Sequence, residues 1–69
     1  MNITINGSAH HLPDTVETLA NLLNHLDLSP NGRIIELNDT IYTEDHFKTT
    51  QINSNDQVEI IQFGILTMF

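Results

Sequence analysis

Sixty-nine residues, 39% of them apolar, make room for one small domain with one modest core; folding at this size buries only about 60% of the unfolded surface, which argues against a deep cavity. Nine Asp and Glu against two cations, Arg33 and Lys48, give a net charge of −7, which argues against nucleic acid or an anionic membrane and favours a basic protein surface as partner. There is no cysteine for a disulfide, thiol nucleophile or thiolate metal site, and no apolar run approaches the roughly 20 residues of a membrane span, so a cytosolic, self-contained module is expected.

Met1, Ile3 and Ile5 alternate with Asn2, Thr4 and Asn6, the period-two pattern of a half-buried strand. Asn6-Gly7 is a strong hairpin signal, because a type I′ turn needs positive φ at both central residues. A two-residue loop sets Ile5 opposite Ser8, Ile3 opposite His10 and Met1 opposite Leu12, with that face toward the core. Pro13-Asp14-Thr15 ends the strand and opens a helix from Asp14 to Leu26. Asp14 or Thr15 is the expected cap, with Glu17 three residues after Asp14 as in a capping box. Val16, Leu19, Leu23 and Leu26 supply its apolar stripe, and Leu28 is placed to pack under its end before the turn at Ser29-Pro30-Asn31-Gly32.

Arg33–Leu37 reads as a strand, Asn38-Asp39 as a turn and Thr40–Tyr42 as a short strand. Thr43–His46 reads as one helical turn capped by Thr43, placing Phe47 against the core. Ile52 is an isolated apolar anchor, and Val58–Phe63 is the most emphatic strand. The order predicts an α+β domain over residues 1–63, a four- to five-stranded sheet with one main helix on one face, and a tail over residues 64–69. The first and last strands, being the most apolar, are expected in the sheet interior.

His10 and His11 are neighbours on a strand, point to opposite faces and do not easily share an ion. His25 and His46 stand alone, so no metal is assigned. Glu44 and Asp45, with Asp39 nearby in sequence, form either a solvated loop or a docking patch for a basic surface. Paired carboxylates serve glycosidases, but a chain this small offers no cleft for a sugar. Neither a Ser-His-Asp arrangement nor a phosphate-binding glycine loop is present, so no catalytic residue is assigned and the chain reads as a non-enzyme. Ile61 and Phe63, with Ile34, form the candidate partner-facing patch. The alternative is that these are core and that Val58 and Ile60 face outward.

Taken together, the Met-Asn-Ile-Thr-Ile-Asn-Gly opening, the capped helix, Ile-Glu-Leu-Asn at residues 35–38 and Asn-Asp-Gln-Val-Glu-Ile-Ile-Gln-Phe at residues 55–63 resemble the ThiS sulfur-carrier family. The resemblance implies a ubiquitin-like β-grasp fold, shared with the usually longer MoaD-type molybdopterin carriers. It also implies a carrier of thiamine (thiazole) biosynthesis that binds no cofactor itself. An adenylating enzyme similar to the ubiquitin activators would use ATP and a sulfur donor to convert the C-terminal carboxylate to a thiocarboxylate. Thiazole synthase would then take the sulfur.

The family's Gly-Gly end is absent. The carrier tail here runs Gly64, Ile65, Leu66, Thr67, then Met68 and Phe69, with the family's glycines falling near Leu66 and Thr67. Two residues without Cβ let a bare main chain enter a narrow channel, which this tail does not offer as written. Trimming after Gly64, a diverged paralogue, or a tail altered by a reading-frame change each account for it. The alternative function is a ubiquitin-like interaction module without sulfur chemistry, monomeric or weakly self-associating through the apolar tail.

Overall fold

The computed structural model describes residues 1–63. Its elements are β1 (Asn2–Ile5), β2 (Ser8–His11), α1 (Leu19–His25), β3 (Arg33–Leu37), β4 (Thr40–Tyr42), one 3-10 turn (Glu44–His46) and β5 (Gln57–Gln62). The strands form a single sheet in the order β2-β1-β5-β3-β4. All neighbours run antiparallel except β1 and β5, which are parallel. This is the five-stranded, one-helix α+β arrangement expected of a β-grasp, with β1 and β5 both inside the sheet. Among the described residues no helix is long and apolar enough to cross a membrane.

Both hairpins follow their turn residues. Asn6 and Gly7 have φ of 49° and 84°, and β1 pairs with β2 in the expected register, Ile5 with Ser8 and Ile3 with His10. Asn38 and Asp39 adopt φ of 49° and 73° between β3 and β4, a turn of the same kind built without glycine. Short polar side chains tolerate the left-handed region better than other non-glycine residues.

The helix differs from expectation. It starts at Leu19 rather than near Asp14, and its cap is Thr18 rather than Asp14 or Thr15. The Thr18 hydroxyl accepts from the Asn21 N–H at 3.1 Å, while the Asn21 side chain accepts from the Thr18 N–H at 3.1 Å. Asn21 therefore holds the box position expected of Glu17. The reason is long-range. Ile52 N–H donates to the Glu17 carbonyl and Thr18 bridges to Gln51, so residues 17–18 are drawn out as extended chain. The carbonyls of Thr50 and Phe47 then accept from the Leu19 and Ala20 N–H groups, two of the donors every helix start leaves unpaired.

The helix ends after two turns. Leu28 N–H donates to the Leu23 carbonyl at 2.8 Å and Asp27 N–H to the Asn24 carbonyl at 3.1 Å, a Schellman closure. Asp27 occupies the left-handed position at φ 63°, where glycine is usual, and Leu28 packs against the core as anticipated.

Sheet and helix enclose one core: Ile3, Ile5, Leu12, Ile35, Leu37 and Val58 from the sheet side, Leu19, Leu22 and Leu23 from the helix, and Val16, Phe47 and Ile52 from the connections. Val16 is thus a core residue outside the helix, and Phe47 and Ile52 are anchors as expected. Thr43 precedes the 3-10 turn but makes no capping bond. Its hydroxyl donates to the Asp45 carboxylate at 3.0 Å instead.

These end structures set a measurable pair of effects. Thr18→Ala removes the cap and is expected to lower stability by about 1 kcal/mol. Asp27→Gly relieves a left-handed non-glycine residue and removes an acidic group from the helix C-terminus, and should raise it by about 0.5–1 kcal/mol. Urea denaturation of the two variants checks both signs.

Candidate functional site

Pleating divides the sheet into a helix-covered face and an open one. On β5, Val58 is buried and Ile60 packs against the core, so Gln57, Glu59 and Ile61 point away from the helix. On β3, Ile35 and Leu37 are buried, which turns Ile34 and Glu36 outward. The choice between the two sides of β5 is thereby decided: Val58 and Ile60 face the helix, and Ile61 faces out.

The β3–β5 register assembles that open face. Ile34 lies directly opposite Ile61, and Glu36 directly opposite Glu59. The Phe63 N–H donates to the Gly32 carbonyl at 2.8 Å, which carries the pairing one step beyond β5 and keeps Phe63 beside the same patch. A Cβ on Gly32 would come within 3.1 Å of the Phe63 carbonyl oxygen, and Gly32 has φ of 73°, so glycine fits this approach twice over. Ile61 and Phe63 are 37% and 50% exposed, and Ile34 is half-buried. The three residues expected to form a partner-facing patch therefore stand together beside the point where the chain continues into residue 64. The carrier tail, Gly64, Ile65, Leu66 and Thr67, lies outside the described residues.

Three members of the face, Ile41, Glu36 and Glu59, escaped the sequence reading. Ile41, 60% exposed, pairs with Glu36 and extends the apolar area toward β4. Glu36 and Glu59 face each other across the strands and, with Asp39 and Gln57, line a shallow open depression. The acidic group expected around Glu44 and Asp45 is divided: Asp39 belongs to this depression, and neither Glu44 nor Asp45 lines it. The Thr43 hydroxyl holds the exposed Asp45 carboxyl below its ordinary range, helped by the Asp45 backbone N–H and the charge of His46 and opposed by slight desolvation.

The histidines follow their strand positions. His10 is half-buried on the core side, whereas His11 is exposed on the other face with a ring nitrogen 2.7 Å from the Asn2 side-chain oxygen. His25 and His46 are exposed.

Two asparagines tie β5 into place from the hairpin tips. Ile60 N–H donates to the Asn6 side-chain oxygen at 2.8 Å. Gln57 N–H donates to the Asn38 side-chain oxygen at 2.9 Å, and the Asn38 side-chain amide donates to Asp56 at 3.0 Å. The strand that carries the patch is held along both edges by backbone pairing and by these side chains.

Fold and open apolar face together invite comparison with known proteins. A family model described as the ThiS family matches residues 2–64. The chain belongs to the ThiS family. A crystal structure of the thiamine biosynthesis protein (ThiS) from Geobacter metallireducens superposes with a TM-score of 0.80 at 26% identity, covering 91% of this chain and 94% of that one. The uncharacterized protein ycf40 of Porphyra purpurea is 39% identical over 61 residues, 88% of this chain and 84% of the relative. Its counterpart in Pyropia yezoensis is 34% identical over the same lengths. The ThiS family match thus takes in the described domain from Asn2 onward and Gly64, and leaves Ile65–Phe69 beyond it.

The opposed glutamates supply a test. Like charges directly across a strand pair destabilise it. Glu59→Gln is therefore expected to raise stability by up to about 0.5 kcal/mol at low ionic strength. The gain should shrink in roughly 1 M salt, where the screening length falls to about 3 Å. Parallel urea titrations of the two proteins at the two salt concentrations measure it.

Proposed function

We propose that the chain is a sulfur carrier of thiazole formation in thiamine biosynthesis and acts as a substrate of its partners. The observation that carries this reading is the ThiS family match through Gly64 on a domain whose outward patch, Ile34, Ile61 and Phe63, includes the last described residue before Gly64. In the proposed cycle the domain docks by that face on an adenylating enzyme. The C-terminal carboxylate attacks the α-phosphorus of ATP and pyrophosphate leaves. A sulfur nucleophile from the donor then displaces AMP, leaving a thiocarboxylate for thiazole synthase. The carrier contributes a docking face and a reactive end, and the partner enzyme holds ATP and the sulfur source.

Apolar residues beside carboxylates fit partners with an apolar centre and a basic rim. Glu36, Glu59 and Asp39 give the encounter an electrostatic bias that speeds association, while Ile41, Ile61 and Phe63 supply apolar area to remove from water. The net charge of −7 acts in the same direction.

In this reading Gly64 becomes the working end once Ile65–Phe69 are removed, because a terminal Phe69 behind four side chains suits a narrow channel poorly. The same tail favours a second reading, a ubiquitin-like interaction module that uses the open face and keeps its tail intact. Intact mass separates the two. Incubation with an extract of the native cells, which supplies the protease that hydrolyses the Gly64–Ile65 bond, and with the adenylating enzyme, ATP and a sulfide source is expected to show loss of the last five residues and then a gain of about 16 Da, oxygen replaced by sulfur. A full-length mass that never changes, while a chain carrying Leu66→Gly and Thr67→Gly and ending at residue 67 is thiocarboxylated, contradicts the carrier role for the natural tail and supports the interaction module.

A further inference from the structure

The sequence contains two Asn-Gly pairs, Asn6-Gly7 and Asn31-Gly32, and the fold treats them differently. Both stand in turns in which Asn6, Gly7 and Asn31 are exposed and Gly32 is half-buried, and in each a glycine without Cβ crowds its own backbone nitrogen least against attack on the preceding asparagine carboxamide. At Asn6 the side chain is engaged: its oxygen accepts from the Ile60 N–H at 2.8 Å, and the Asn6 backbone N–H donates to the Val58 carbonyl at 2.9 Å. At Asn31 the carboxamide makes no hydrogen bond among the described residues. The turn around it is closed by the Arg33 N–H to the Pro30 carbonyl at 3.3 Å, a long bond, and by the Asn31 N–H to the Ser29 hydroxyl at 3.1 Å.

We infer that Asn31 is a site of spontaneous deamidation and isoaspartate formation, and that Asn6 is protected by its pairing with β5. The Gly32 nitrogen attacks the Asn31 side-chain carbonyl carbon and forms the N–C bond of a five-membered succinimide. The C–N bond to the amide nitrogen breaks, and ammonia leaves with the proton from the Gly32 N–H. Water then opens the ring. Attack at the side-chain carbon gives aspartate at residue 31, and attack at the main-chain carbon gives isoaspartate. Either product adds a negative charge beside Arg33, one of only two cations. Isoaspartate also inserts a methylene into the main chain next to Gly32, whose carbonyl seats the Phe63 N–H. The modified turn therefore lies beside Phe63, the last described residue.

At Asn6 the reaction requires the turn to leave β5 first. Three hydrogen bonds stand in the way, the two above and a long one from the Asn6 side-chain amide to the Ile60 carbonyl at 3.5 Å, together enough for a rate difference of about tenfold or more. The test uses the full-length folded protein aged in mildly alkaline buffer, then cleaved after Glu17 and Glu36 so that the two sites fall on separate peptides. The 18–36 peptide is expected to gain about 1 Da, amide replaced by acid, at least about tenfold faster than the 1–17 peptide. Labelling by an isoaspartyl methyltransferase should mark residue 31. In urea the two rates should converge to within about twofold, since unfolding removes the pairing of Asn6. Asn31→Gln should abolish the gain in the 18–36 peptide. Equal rates in the folded protein, faster change at Asn6, persistence of the gain in Asn31→Gln, or a tenfold gap that survives in urea would each overturn the inference.

Discussion

The parallel pairing of β1 with β5 joins the beginning of the chain to the strand that ends the domain, and the remaining architecture is arranged around it. The ladder itself is short, Thr4 beside Gln57 and Ile5 beside Val58. It is lengthened by the Thr4 N–H to the Asp56 carbonyl, the Asn6 N–H to the Val58 carbonyl, and the Asn6 side chain on Ile60. Closing the intervening loop costs entropy before any contact forms, and the loop-length dependence is only logarithmic. Burial of Ile3, Ile5 and Val58 against the helix offsets that cost. Once β5 is seated, β3 pairs along its other edge and the open face follows from alternation alone.

That constraint ties fold to function. β5 presents Val58 and Ile60 to the helix and Glu59 and Ile61 to solvent, so the strand that stabilises the core also displays the patch. The opposition of Glu36 and Glu59 works against the sheet, because two acids share one cross-strand position. In the proposed reading the pair serves contact with a basic surface, in keeping with the chain's net charge of −7. Asn6 and Asn38, at the tips of the two hairpins, brace β5 without occupying the face, which leaves the patch free while its backbone is fixed.

Much of this was legible in the sequence because the signals were local. Asn6-Gly7 dictated the first hairpin and its register, and Arg33–Leu37 and Thr40–Tyr42 fell where the alternation put them. The resemblance carried by the opening strand and the 55–63 segment pointed to the ThiS family, as the family match now shows. The helix start was not legible. Asp14 and Glu17 form a plausible local box, but the segment from Phe47 to Ile52 takes over residues 17–20 from far along the chain. The side of β5 that meets the helix was also beyond local reading, since apolar residues occupy both faces of that strand. Ile41 and the Glu36–Glu59 pair join the site only through the register of β3 with its two neighbours, which no spacing within one strand reveals.

The central claim is that the open face of β3 and β5 is where the carrier meets its activating enzyme. Titrating the isotopically labelled full-length protein with the adenylating enzyme, and following backbone amides by NMR, tests this most directly. The account predicts perturbations concentrated at Ile34, Glu36, Glu59, Ile61 and Phe63, with the outward side of the helix at Asn24 and His25 unchanged. Perturbations centred on the helix, with the β3–β5 face unaffected at saturation, would contradict it.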